Sequence, residues 1–204
     1  MSPTRMRSAT LALLSLLAPG CRSFQDPVYE VGERKILAVP FRNLTQRFGH
    51  GYGESPQGKS VVTHFRRWVE TETDGALATA VETEKVVRVL REKPKSQLTP
   101  KEWKAIATGV DADLVIVGEI TKLEQDSRMV NFVRGLLSAS YSVIDTATGR
   151  EVYQREGIDL EFPPARELQK PMDTFESSFA DAEKSLLRQL GERIGKDLFG
   201  YYKE

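Results

Sequence analysis

Two short runs in which nearly every residue is apolar, KILAVPF at 35–41 and DLVIVGEI at 113–120, constrain this chain more than any other feature. A strand with one wet face alternates between apolar and polar residues. A run without alternation must be buried on both faces, and a sheet with helices on its two sides does that. Pro40 ends the first run, because proline donates no hydrogen bond to a ladder.

Around these runs the period changes. Residues 60–84 read as mostly helical, with Phe65, Trp68 and Val69 on one face, Leu77, Ala80 and Val81 on another, and Asp74-Gly75 as a break. KVVRVL, 85–90, reads as a second strand, and REKPKSQ as a polar connector. Thr99-Pro100-Lys101-Glu102 is a helix start: threonine caps, proline fits the first turn and Glu102 completes a capping box. Trp103, Ile106 and Ala107 form that helix's inward face, and Gly109 ends it.

LSASYSV, 137–143, alternates, with Leu137, Ala139, Tyr141 and Val143 on one side and three serines on the other. DTATG, 145–149, is a hairpin turn, EVYQREGIDLEF returns as the partner strand, and Pro163-Pro164 stops it. The last element is an amphipathic helix, opened by Asp173 and Glu176. It carries Phe175, Phe179, Ala182, Leu186, Leu190, Ile194 and Leu198 on its apolar stripe. Gly191 and Gly195 inside it cost about 1 kcal/mol each in propensity and mark either close packing against another element or a frayed helix end. The fold class is α/β: a single domain with a mixed sheet of about five strands flanked by helices, in the order β-α-β-α-β-β-β-α. No internal repeat is present.

The N-terminus has a different character. MSPTRMRSATLALLSLLAPGC holds a short basic region with Arg5 and Arg7, an apolar run from Ala9 to Ala18, and a close on Gly20-Cys21. The apolar run is too short to span a bilayer and has the length of a signal peptide. Its ending resembles the lipobox of bacterial lipoproteins, although Ala18 stands where a leucine is usual. In those proteins the cysteine sulfur takes up diacylglycerol and the chain is cut just before it. The resemblance implies a signal peptide at 1–20, a lipid attached at Cys21, a tether at 21–34 and a folded domain at 35–204. Arg22 follows the cysteine in place of an inner-membrane retention aspartate, so the expected location is the outer membrane, facing the periplasm.

Composition narrows the chemistry. Lysine plus arginine equals aspartate plus glutamate, at 29 each. Loss of the leader would leave the chain slightly acidic, which argues against nucleic acid as a partner. The single cysteine forms no internal disulfide, and His50 and His64 are not at ligand spacing, so no metal site is expected. No Ser/His/Asp spacing suggests a hydrolase, and no catalytic residue or cofactor is assigned.

One motif points elsewhere. GESPQGKS, 53–60, matches the P-loop pattern, whose backbone amides cradle phosphates while its lysine neutralises charge. A working P-loop joins a strand end directly to a helix start. Here the strand ends near Phe41, about ten residues before Gly53, and no second apolar strand ends in an aspartate for Mg²⁺. The glycines are read instead as part of a flexible loop over 42–59.

KILAVPFRNLT, ADLVIVGEITKLE and SYSVIDTATGREVY together follow a recurring envelope pattern. It resembles the soluble domains of LpoB-like penicillin-binding-protein activators, CsgG-like curli secretion lipoproteins and the N-terminal domain of TolB. The resemblance spans roughly 35–198 and implies a small α/β fold. Asn43 aligns with a recurrent asparagine after the first strand, where a turn role is as well supported.

Three functions follow. The first is a non-enzymatic, membrane-anchored lipoprotein that binds another envelope protein, with activation of a peptidoglycan synthase as the activator branch's version. The second is a CsgG-like secretion subunit, opposed by the charges that interrupt the 136–161 hairpin. The third is a nucleotide-binding protein, for which little nucleotide exists outside the cytoplasm.

Overall fold

A computed structural model describes residues 23–45, 51–93, 95, 98–129, 132–164 and 178–202. Its strands are β1 (Phe24–Gln25), β2 (Ile36–Ala38), β3 (Arg42–Asn43), β4 (Leu114–Met129), β5 (Phe132–Asp145), β6 (Arg150–Phe162) and β7 (Tyr201–Tyr202). Its helices are α1 (Pro56–Glu72), α2 (Ala80–Glu92), α3 (Pro100–Thr108) and α4 (Phe179–Phe199). The main sheet has five strands in the order β2-β4-β5-β6, with β3 also on β4. β2 and β3 run parallel to β4, on either side of the Pro40 interruption; β4, β5 and β6 are antiparallel.

Each all-apolar run feeds two cores. Ile36, Ala38, Leu114 and Ile116 face α1 and α4, joined by Leu137, Ala139, Tyr141 and Val143 of β5. Leu37, Val39, Val115 and Val117 face α2 and α3, against Val86, Val87, Leu90 and Trp103. The two-sided burial expected of these runs is therefore present, as is the serine side of β5.

Four element assignments differ from the sequence reading. KVVRVL is not a strand: it lies in α2, where Val86, Val87 and Leu90 are buried on one face while Lys85, Arg88 and Arg91 point outward. Thr79 and Glu82 cap this helix reciprocally. The 60–84 helix is instead α1 followed by a break. After Glu72 the chain straightens, and Ile36 exchanges backbone hydrogen bonds with Ala76 O (2.9 Å) and Ala78 N (2.8 Å). Leu77 thus bridges to Ile36 rather than sharing a helical face with Val81, which is 70% exposed. The strand beginning DLVIVGEI continues to Met129 through TKLEQDSRM, paired across its length with β5. Finally, α4 opens at Ser178, whose side chain and that of Asp181 cap each other's backbone amides. Asp173, Phe175 and Glu176 lie outside the described residues.

The start of α3 agrees with the reading. Thr99 N and Oγ1 donate to Glu102 Oε2 at 2.8 and 2.7 Å. Of the two readings of the α4 glycines, close packing holds: a Cβ on Gly191 would sit 2.7 Å from Phe65 N, and one on Gly195 would sit 2.1 Å from the Trp68 ring. α1 and α4 pack backbone to backbone over this stretch.

Candidate functional site

The P-loop match sits at the turn from β3 into α1, and packing accounts for its residues. Of the stretch read as a loop, 42–43 is strand and 56–59 is the first turn of α1; residues 46–50 lie outside the described set. Ser55 is the N-cap, and its Oγ accepts from Gly58 N at 3.1 Å. That amide is one a phosphate would need, and the chain satisfies it internally. Gly58 lies where a Cβ would come 1.8 Å from Phe41 O, so a helix is pressed directly onto a strand end. Lys59 is exposed. Asn43, fully buried, has Oδ1 accepting from Thr45 N (3.0 Å) and Thr45 Oγ1 (2.7 Å). This is the side-chain-to-backbone turn that the turn role of that residue describes.

The open side of the sheet is more distinctive. α2 and α3 cover β2, the first half of β4 and the Ile144 end of β5, leaving the rest of the second face of β5 and β6 without a helix among the described residues. A cleft of about 330 Å³ opens there, lined by Arg42, Tyr52, Lys95, Glu119, Ser140 and Gln154, among others. Lys95 Nζ donates to Ser142 Oγ at 2.5 Å and pairs with Glu151 Oε2 at 2.7 Å. Burial raises the Glu151 pKa, but hydrogen bonds from Lys95 and Ser142 outweigh it, and the net direction is down. A lysine that donates to a serine while held by a carboxylate is arranged opposite to a general base, which must accept the serine's proton. Tyr52 OH reaches Glu119 Oε1 at 3.4 Å, and burial together with that carboxylate pushes the phenol well above its usual range. It stays a neutral donor. The cleft is a network of satisfied polar groups on a rigid sheet, which suits recognition.

Farther along the same face lie Glu124, Asp126, Glu156, Asp159 and Glu161, against Lys122 and Arg134. The face is rich in carboxylates. Sequence reading had identified its serine stripe; it missed Lys95, hidden in a polar connector, and Tyr52, hidden in a glycine-rich stretch. No periodic signal marks either residue.

Against the end of α4 the stretch read as a tether is seated on the body as far as it is described. Phe24 and Gln25 pair with Tyr202 and Tyr201. Val28 N and Tyr29 N both donate to Asp197 O, at 2.8 and 3.0 Å. Tyr29 stacks on Tyr153, and Val31 is buried in the main core. Cys21 itself lies outside the described residues. Among those described, no helix is long and apolar enough to cross a membrane, and no cluster of metal-ligating side chains occurs.

No family model matches the chain, and no curated protein does. Several solved structures align with it over most of its length at TM-scores below 0.5. A hypothetical protein of Chlamydia trachomatis aligns at 14% identity over 81% of this chain and 97% of its own, with a TM-score of 0.46. A subunit of the PelC dodecamer from Paraburkholderia phytofirmans aligns at 13% identity over 82% and 91%, with a TM-score of 0.44. LpoB of E. coli is also similar, at 14% identity over 79% and 82%, with a TM-score of 0.41. The likeness to LpoB expected from the sequence is a likeness of fold. Identities this low say nothing of partner or activity.

Proposed function

We propose that this chain is a lipid-anchored protein of the cell envelope that acts by binding another envelope protein, without catalysis of its own. The carrying observation is the carboxylate-rich face of β5 and β6, over most of which no described helix lies and whose Lys95–Ser142 pair is locked by Glu151 and offers no free base. The export leader and Cys21 support the envelope location. A peptidoglycan synthase is the first partner to test, because the activator branch is one the sequence resembles.

A carboxylate-rich face selects a partner with a basic surface, and such attraction is screened by salt. A photo-crosslinking residue at Ser140 or Glu156 is expected to capture one partner in intact cells, while the same residue at Glu70, exposed on α1, captures none. Charge reversal by Glu156→Lys with Asp159→Lys is expected to weaken binding to that partner about tenfold at low salt and to flatten its salt dependence. Stimulation of a purified synthase on mixing would assign the activator role. Tight Mg²⁺-dependent nucleotide binding that disappears in Lys59→Ala would overturn the reading.

A further inference from the structure

We infer that the pole of the domain carrying Phe24 and Tyr202 lies directly against the surface of the membrane that holds Cys21. This rests on the lipid anchor proposed above, and it concerns what the anchor does to the body.

The chain length between anchor and body comes first. Only Arg22 and Ser23 separate Cys21 from β1. Three residues, fully extended, reach about 10 Å. Phe24 cannot move away from the body to lengthen that reach. It is paired to Tyr202, its neighbours are hydrogen-bonded to the end of α4, and Val31 is locked in the core. The segment that would have been a tether is spent on docking, so an acyl chain at Cys21 brings this pole within about 10 Å of the lipid headgroups.

The chemistry of the pole fits that position. Phe24 is 46% and Tyr202 64% exposed, and their rings meet edge to face with centroids 5.1 Å apart. Val28, on the same segment, is 56% exposed. Aromatic rings with one polar tip are favoured at the headgroup level, and the Tyr202 ring and hydroxyl have that character. Lys196 sits over the Tyr201 ring at 5.0 Å, placing a cation beside the patch. Asp26 and Glu30 on the same segment offset it, so the contact is apolar rather than electrostatic and needs no anionic lipid.

The seating also sets orientation. α4 ends at this pole, while at its other end Phe179 O accepts from Gln125 Nε2 near the far end of β4, a strand of 16 residues, about 50 Å. The β4–β5 tip and the carboxylate-rich half of the open face therefore point away from the bilayer.

Acylated full-length protein, purified from membranes, would be placed in vesicles of phosphatidylethanolamine and phosphatidylglycerol. Its only native thiol is consumed by the lipid, so a spin label reports an introduced cysteine alone. Tyr202→Cys is expected to be several-fold less accessible to an aqueous nickel chelate than Glu124→Cys at the far tip. Ten glycine and serine residues inserted between Ser23 and Phe24 should abolish the difference. Circular dichroism melts confirm that each variant folds, and intact mass reads acylation. Equal nickel accessibility on chains whose mass shows the lipid overturns this inference alone. A mass without lipid overturns the anchor and this inference together.

Discussion

At Gly58 a methyl group has nowhere to go. The added Cβ would fall 1.8 Å from Phe41 O and 2.7 Å from Phe41 N, both backbone atoms that no rotamer change can move. Gly58→Ala is expected to cost about 3 kcal/mol, at the upper end for overpacking, read as a shift in the urea midpoint. Lys59→Ala, one residue on and exposed, is expected to leave that midpoint unchanged. A true phosphate loop would give the reverse priority, with the lysine indispensable to ligand binding. The letters of the motif were legible in the sequence, but their cause was not. A pattern of residue types does not say whether a glycine admits a phosphate or a carbonyl, and here the partner is Phe41, seventeen positions earlier. Asn43 was legible because its partner is local: an asparagine bonding two residues on needs no tertiary knowledge.

Three of the four described helices begin with the same device, in which a threonine or serine and an acidic residue three positions later satisfy each other's backbone amides. Hydrogen bonds from the Thr79 amide and hydroxyl hold the Glu82 carboxyl down to about 2. The Lys93 ammonium, with Thr99, does the same to Glu102. A carboxyl that keeps its charge more strongly when folded stabilises the fold above its ordinary value of 4.5 and loses that contribution as pH falls toward 2. The melting temperature is therefore expected to drop between pH 5 and pH 3. Glu82→Gln with Glu102→Gln should melt lower than the parent at pH 6 and show a smaller drop on acidification. The same device explains one success and one failure of sequence reading. Thr99–Glu102 was recognised because Pro100 and a clean apolar face accompany it. Thr79–Glu82 was passed over because the β-branched run KVVRVL looked like a strand. The decisive fact is spacing: Val86, Val87 and Leu90 lie on one side at helical intervals, and the capping Thr79 stands seven residues before Val86. The charged half of β4 was illegible for another reason. TKLEQDSRM has no apolar alternation of its own and is a strand only through pairing with β5.

On the scale of the molecule, the surprise is that the first residues of the body are not a leash. Tethers are read from composition, and 21–34 has the proline, glycine and charge of one; what composition hides is that a few apolar residues in such a stretch can be claimed by a distant groove. Val31 is claimed by the core shared with α1 and α4, and the two amides of Val28 and Tyr29 by the last turn of α4. These contacts join the N-terminus to the C-terminal helix, so the two ends of the fold stabilise each other. A chain starting at Ser23 and one starting at Lys35 should then differ sharply. The shorter one exposes the patch of core that Val31 filled, loses the β1–β7 ladder, and leaves the Asp197 carbonyl to water. Burial of one valine alone is worth about 2 kcal/mol, and the single substitution Val31→Ala should reproduce that part of the loss. In the longer chain, amides 28 and 29 should exchange with deuterium no faster than those of α4, because both open only when the helix end does. Exchange of those two amides at the rate of free peptide, with α4 still protected, would show that the segment swings loose. The domain would then hang on its lipid by a dozen residues instead of lying on the membrane.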